Sequence, residues 1–332
     1  MNNFNKIPMF LAVSMIVLFL ASCDLDDDEN TVPIPDSTIV DLALETEELS
    51  SLVSALQRAD LVGALEADGP FTVLAPNNSA FNNFLSQNGF TNLEAVPVPV
   101  LRELLLNHVV SGRLDAAPLT NLGSNYLETL AGGPTENSNL ALYFNVDNAI
   151  TFNGTSTVLQ PDIVAANGII HIVDGVIDLP SIETFINTDG NFEELGIALD
   201  LIGPVSTIPS ALETSDAGPF TVFAPLNSAF DALLETNPDW NFVSDIEEDL
   251  LANVIAHHAL NGNIRSENIS NDQNAPTLQG EDIVFSVSNG QITITDGAGN
   301  AGINVDGLFN NIQATNGIIH VVNQVLLPDT TN

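Results

Sequence analysis

The chain has 332 residues, enough for two ordinary domains that each bury a core. Apolar residues make up 45%, a globular proportion that excludes a disordered chain. Its 43 acids against 5 lysines and arginines repel phosphate backbones and set nucleic acid aside as a partner.

Residues 1–22 read as an export signal. A polar start, "MNNFNK", precedes the apolar run "IPMFLAVSMIVLFLAS", which is short for a membrane span. The run ends in "LASC", Leu20 to Cys23, which resembles the lipobox of bacterial lipoproteins. That resemblance implies cleavage before Cys23 and acylation of its thiol. Cys23 is also the single cysteine, so no intramolecular disulfide can form. Each buried methylene of an acyl chain contributes about 0.8 kcal/mol to anchorage, and the lipoprotein pattern implies several chains. Residues 23–36, "CDLDDDENTVPIPD", are acidic and without apolar period, a solvated tether that spans roughly 45 Å when extended. An acidic run just after the cysteine resembles a surface-export signal, so the expected location is the outer membrane or cell surface.

From residue 37 the chain is written twice. "GPFTVLAPNNSAF" (69–81) returns as "GPFTVFAPLNSAF" (218–230), identical at eleven of thirteen positions. "NGIIHIVDGVIDLP" (167–180) answers "NGIIHVVNQVLLP" (316–328), and "LLLNHVVSGRL" (104–114) answers "VIAHHALNGNI" (254–264). Two long copies mark a domain duplication with a boundary near Ser181, giving domains at 37–181 and 182–329.

In chain order, Leu49, Leu52, Val53 and Leu56 predict a first amphipathic helix, as do Phe192, Leu195 and Leu199 in the second copy. "FTVLA" and "FTVFA" predict buried strands ended by Pro76 and Pro225. Asn78 and Asn227 then stand where an N-cap would, ahead of the apolar faces Ala80–Phe81–Phe84 and Ala229–Phe230–Leu233. A middle helix follows in each copy, with His108 and His258 on its apolar stripe. Short alternating strands such as "LALYFNV", "DIVFSVS" and "QITIT" come next, and "GIIHIV" or "GIIHVV" closes the unit. Helices early and strands late predict an α+β domain.

The strand–helix phrase, the histidine ending the middle helix and the "NGIIH" closing strand together resemble the fasciclin (FAS1) family, over nearly all the chain beyond the tether. The resemblance implies two tandem FAS1-like domains, each a β-wedge flanked by helices, on a secreted or surface-anchored adhesion protein. The family's middle motif is a Tyr-His pair; here its positions hold Asn107-His108 and His257-His258. The tyrosine is replaced in both copies, which removes whatever adhesive role it carries elsewhere.

The chemical alternatives have weaker support. His108, His171, His258 and His320 sit at apolar helix or strand positions and read as hydrogen-bonded core imidazoles. His257 and His258 point about 100° apart on a helix, too far to grip one metal ion. No G-x-S-x-G elbow occurs, and "DGAGNAGINVDG" (296–307) lacks the order of a calcium loop. Catalytic, cofactor-binding and metal residues are therefore expected to be none. The reading is a surface-anchored, non-enzymatic lipoprotein that binds a surface protein or glycan and touches the membrane through Cys23. A carrier of an apolar small molecule such as a carotenoid is the alternative, and a surface-polymer hydrolase a remoter one.

Overall fold

A computed structural model of the chain describes residues 35–203, 205–214, 218–307 and 310–329. The signal peptide, Cys23 and the tether up to residue 34 lie outside the described residues. The first copy opens with α1 (Ile39–Glu45), whose first turn is closed by a capping box. Thr38 accepts from Asp41 N–H and the Asp41 carboxylate accepts from Thr38 N–H, satisfying two donors that would otherwise face solvent alone. Helices α2 (Ser50–Arg58) and α3 (Val62–Leu65) follow, then β1 (Phe71–Pro76). The sharp entry into β1 uses Gly69 at φ +62, where a Cβ would sit 2.2 Å from the Asn167 carbonyl oxygen.

Next come α4 (Asn78–Gln87), α5 (Val98–Leu106), β2 (Val109–Ser111) and α6 (Ala116–Leu122). Five strands complete the copy: β3 (Ser124–Gly132), β4 (Asn139–Val146), β5 (Ile150–Phe152), β6 (Ser156–Ala165) and β7 (Gly168–Val173). The seven strands close on themselves in sequential order, antiparallel except where β1 meets β7 in parallel. The first and last doubled phrases thus supply the parallel strand pair of this copy, zipped from Phe71↔Gly168 to Pro76↔Val173. Both strands are buried along nearly their whole length, which is why they read as unbroken apolar runs.

The second copy repeats the plan. It comprises α7 (Ile182–Thr188), α8 (Glu193–Ile202), α9 (Ile208–Glu213), β8 (Phe220–Pro225), α10 (Asn227–Leu234) and α11 (Glu248–His257). Its strands are β9 (Ala259–Asn261), β10 (Asn274–Pro276), β11 (Asp282–Ser288), β12 (Gln291–Thr295), β13 (Ile303–Asn304), β14 (Ile312–Ala314) and β15 (Gly317–Val322). Here they form two four-stranded sheets, β10–β13 and β14-β15-β8-β9, joined by bridges at Leu260↔Thr277 and Val305↔Val322. Again β8 and β15 pair in parallel.

One expectation needs correcting. Asn78 and Asn227 do not cap the helices they begin. Asn77 caps α4, and the N-cap position of α10 is Leu226, which offers no side-chain cap. Asn78 instead accepts from Ser51 N–H and donates to the Glu47 carbonyl, while Asn227 accepts from Glu194 N–H and donates to the Gly190 carbonyl. Each asparagine supplies the missing cap of the neighbouring helix, α2 or α8, and so staples the strand–helix corner to the helix beside it.

The two copies share a core. Ala141 and Tyr143 of β4 belong to the same apolar cluster as Phe185 of α7 and Ile312 of β14. The Tyr126 ring lies edge-on to Phe185 at 5.5 Å and against Tyr143 at 5.1 Å. These are the two tyrosines of the chain, and both face the seam.

Candidate functional site

The motif positions singled out in the sequence are all buried. His108 donates from Nδ1 to the Leu104 carbonyl, one turn back, at 2.7 Å and accepts Ile177 N–H at Nε2 at 2.9 Å. His258 repeats this with the Val254 carbonyl at 2.7 Å and Leu326 N–H at 2.8 Å. Both nitrogens of each ring are therefore committed, and the neutral tautomer is fixed. Burial pushes both imidazoles down to about 4. Each ring pins the segment after the closing strand to the end of the middle helix.

Asn107 donates to the Ile177 and Asp178 carbonyls at 3.3 and 3.1 Å, a second tie to the same segment. His257, its counterpart, turns elsewhere: Nε2 accepts Gly297 N–H at 3.1 Å and Nδ1 faces the Thr277 hydroxyl at 3.4 Å. The structure thus sends His257 and His258 to different partners. His171 and His320 use the opposite tautomer, donating from Nε2 to the Leu114 and Ile264 carbonyls, both at 2.8 Å. All five rings are built into the backbone scaffold.

The asparagine of each "NGIIH" escaped the sequence reading. Asn167 accepts from Ile39 N–H and donates to the Leu65 and Ala67 carbonyls; Asn316 accepts from Ile182 N–H and donates to the Leu212 and Thr214 carbonyls. Each clasps the first helix of its copy to the segment ahead of the strand. Its appearance at the same place in both copies was the available signal. The glycine that follows lets β1 and β7 close up, since a Cβ on Gly168 would lie 2.0 Å from the Phe71 carbonyl oxygen.

The paired acids beside the apolar helical stripes are at the surface: Glu47, Glu48, Glu193, Glu247 and Glu248 are exposed and Glu194 half-buried. In the segment 296–307, the Asp296 carboxylate accepts from Asn300 N–H, the Asn300 side chain and Leu327 N–H, so its oxygens fold the loop. Every arginine among the described residues is engaged. Arg58 and Arg102 donate to backbone carbonyls, and Arg113 and Arg265 pair with Asp115 and Glu267, two residues on.

The seam leaves a polar cleft of about 320 Å³ lined by Asn125, Tyr126, Glu128 and Asn139 of the first copy with Arg265 and Asn311 of the second. Tyr126, one of its lining residues, donates its hydroxyl to Asp189 at 2.8 Å. Burial, with the Asp189 charge adding to it, drives Tyr126 well above its usual range and Tyr143 up to about 12. Both phenols stay neutral donors at physiological pH. The cleft can offer amide, hydroxyl and carboxylate contacts to a hydroxyl-rich or peptide ligand.

Comparison with known proteins agrees with this architecture. The fasciclin domain model matches twice, at residues 47–180 and 199–328. The Synechocystis protein sll1483 is 39% identical over 140 residues, covering 42% of this chain and 72% of its own. Human periostin is 26% identical over 301 residues, 88% of this chain and 31% of its own. Among solved structures, the FAS1 domain pair of the insect cell adhesion molecule Fasciclin I aligns over 85% of this chain and 98% of its own. Its TM-score is 0.50 at 18% identity, a likeness of fold.

Proposed function

The chain belongs to the fasciclin family, with two copies of its domain, and from that membership we propose that it is a non-enzymatic adhesion protein displayed on a bacterial surface. In this reading Cys23 carries the lipid, residues 23–36 are the tether, and the paired domains hold a protein or glycan of the surroundings. The observation that carries it is the arrangement of the domain pair. The doubled strands pair with each other in parallel within each copy, and the two copies are joined through one core. What remains for partners is the strongly acidic outer surface of the joined pair. Two contact faces held at a fixed spacing raise the effective concentration of the second once the first has bound. The fold match to a domain pair of an insect cell adhesion molecule supports the same reading.

Two measurements test it. Labelled fatty acid supplied to the native host is expected on the wild-type chain and absent from Cys23→Ala. Beads coated with the purified protein are expected to retain cells, glycans or matrix material from the host's surroundings. Retention no greater than on uncoated beads ends the adhesive reading, and an unlabelled wild-type chain ends the lipoprotein one.

A further inference from the structure

The second domain carries an outward-facing pocket beside its single tryptophan. Leu233, Trp240, Ile246, Leu251, Val254 and Leu327 line an open apolar pocket of about 270 Å³. At the matching positions of the first domain, Phe84 and Phe90 lie ring to ring at 6.3 Å. Leu233 stands where Phe84 does, and the smaller side chain withdraws the ring that Trp240 would otherwise pack on. Ala298 joins Leu327 and Pro328 in one wall, and the loop that carries it is braced. Asp296 holds Asn300 and Leu327, Ala298 N–H donates to the Leu327 carbonyl, and Gly297 N–H donates to His257. The wall therefore resists collapse into the pocket. The histidine that replaces asparagine at position 257 supplies part of that brace.

The surroundings say what enters. Phe242, beside Trp240 in sequence, is 70% exposed. From Asp231 to Asp249 the chain carries seven carboxylates and no Lys, Arg or His, and all seven are exposed. Asp231 and Glu235 share a shallow depression with Trp240 next to the pocket. A tryptophan in a preformed apolar pocket with a second exposed aromatic is the composition of a binding hot spot. The charge around it selects for cations.

We propose that this pocket docks a basic segment of a partner protein, one apolar side chain entering beside Trp240 and flanking lysines or arginines meeting the carboxylates. The inference rests on the adhesive reading above and names one contact face and its partner's chemistry. Trp240 is the chain's single tryptophan, so its emission reports the pocket directly.

The test titrates the purified protein with three short synthetic peptides: a leucine flanked by lysines, the same leucine flanked by glutamates, and a serine flanked by lysines. The lysine-flanked leucine peptide is expected to shift Trp240 emission to the blue and to saturate. The other two should bind at least about tenfold more weakly, and added salt should weaken the first. Ala298→Phe, on the exposed rim, should block the site. Glu235→Lys with Asp239→Lys should cost about tenfold with the mouth left open. No shift with the leucine–lysine peptide, equal response to all three, or undiminished binding by both variants overturns the proposal. An equal response to the glutamate-flanked peptide would identify an apolar pocket indifferent to charge. The bead assay separates the two readings: wild-type retention with a silent pocket rejects this site alone, whereas no retention rejects the adhesive reading.

Discussion

At the scale of the residue, three imidazoles are held neutral against their chemistry. Burial pushes His108, His258 and His320 from 6.5 down to about 4, each with a backbone carbonyl as its partner. A depressed histidine binds its proton in the unfolded chain before it does in the folded one. Its contribution is therefore complete above pH 6.5 and is lost as pH falls toward 4. Each ring accounts for about 3 kcal/mol over that window. Denaturant titrations at stepped pH should show stability falling steeply between pH 6.5 and 4, and His258→Gln should flatten that slope. The asparagine clasps are a second test. Asn167→Ala strands Ile39 N–H and the Leu65 and Ala67 carbonyls. It should cost about 2–4 kcal/mol by denaturant midpoint, far more than a surface asparagine.

At the scale of the element, local signals and distant partners divide cleanly. The strands Phe71–Pro76 and Phe220–Pro225 were legible because both faces are buried and proline stops them. The helices bearing Leu52 and Leu56 or Leu101, Leu104 and Leu105 were legible from the spacing of buried leucines, although Leu49 belongs to the short turn before the first of them. The role of Asn78 was not, because its position at a helix start is the same whether it caps that helix or another. The deciding partner, Ser51, lies 27 residues away, across a corner only the folded chain brings together. The two asparagines should separate on mutation. Asn77→Ala removes an ordinary cap and should cost about 1 kcal/mol. Asn78→Ala unfastens α2 from the corner, and hydrogen exchange should rise at Ser51 rather than at Ala80. The apolar pocket at Trp240 was hidden for a similar reason, since it depends on Leu233 being smaller than Phe84 and on a loop some sixty residues on.

At the scale of the whole molecule, the seam makes one unit of two copies. The tyrosines report on it and Trp240 reports on the second domain, so their unfolding curves should coincide. Two separated transitions would mean that the shared core is too weak to couple the domains. Charge acts at the same scale. With 43 acids and few cations, self-repulsion opposes folding when screening is poor, because the Debye length grows to about 30 Å at 0.01 M salt. The melting temperature should rise with added NaCl, and a flat response would mean that the acids are too dispersed to matter.

The measurement that bears most directly on the whole account uses the protein on beads with its scaffold histidines altered. Folded His108→Gln and His258→Gln proteins should retain the same cells, glycans or matrix material as the wild type, because those rings face inward and only pin the segment after the closing strand to the end of the middle helix. Retention that vanishes in either variant while the fold survives would place the contact at the buried motif and contradict the account.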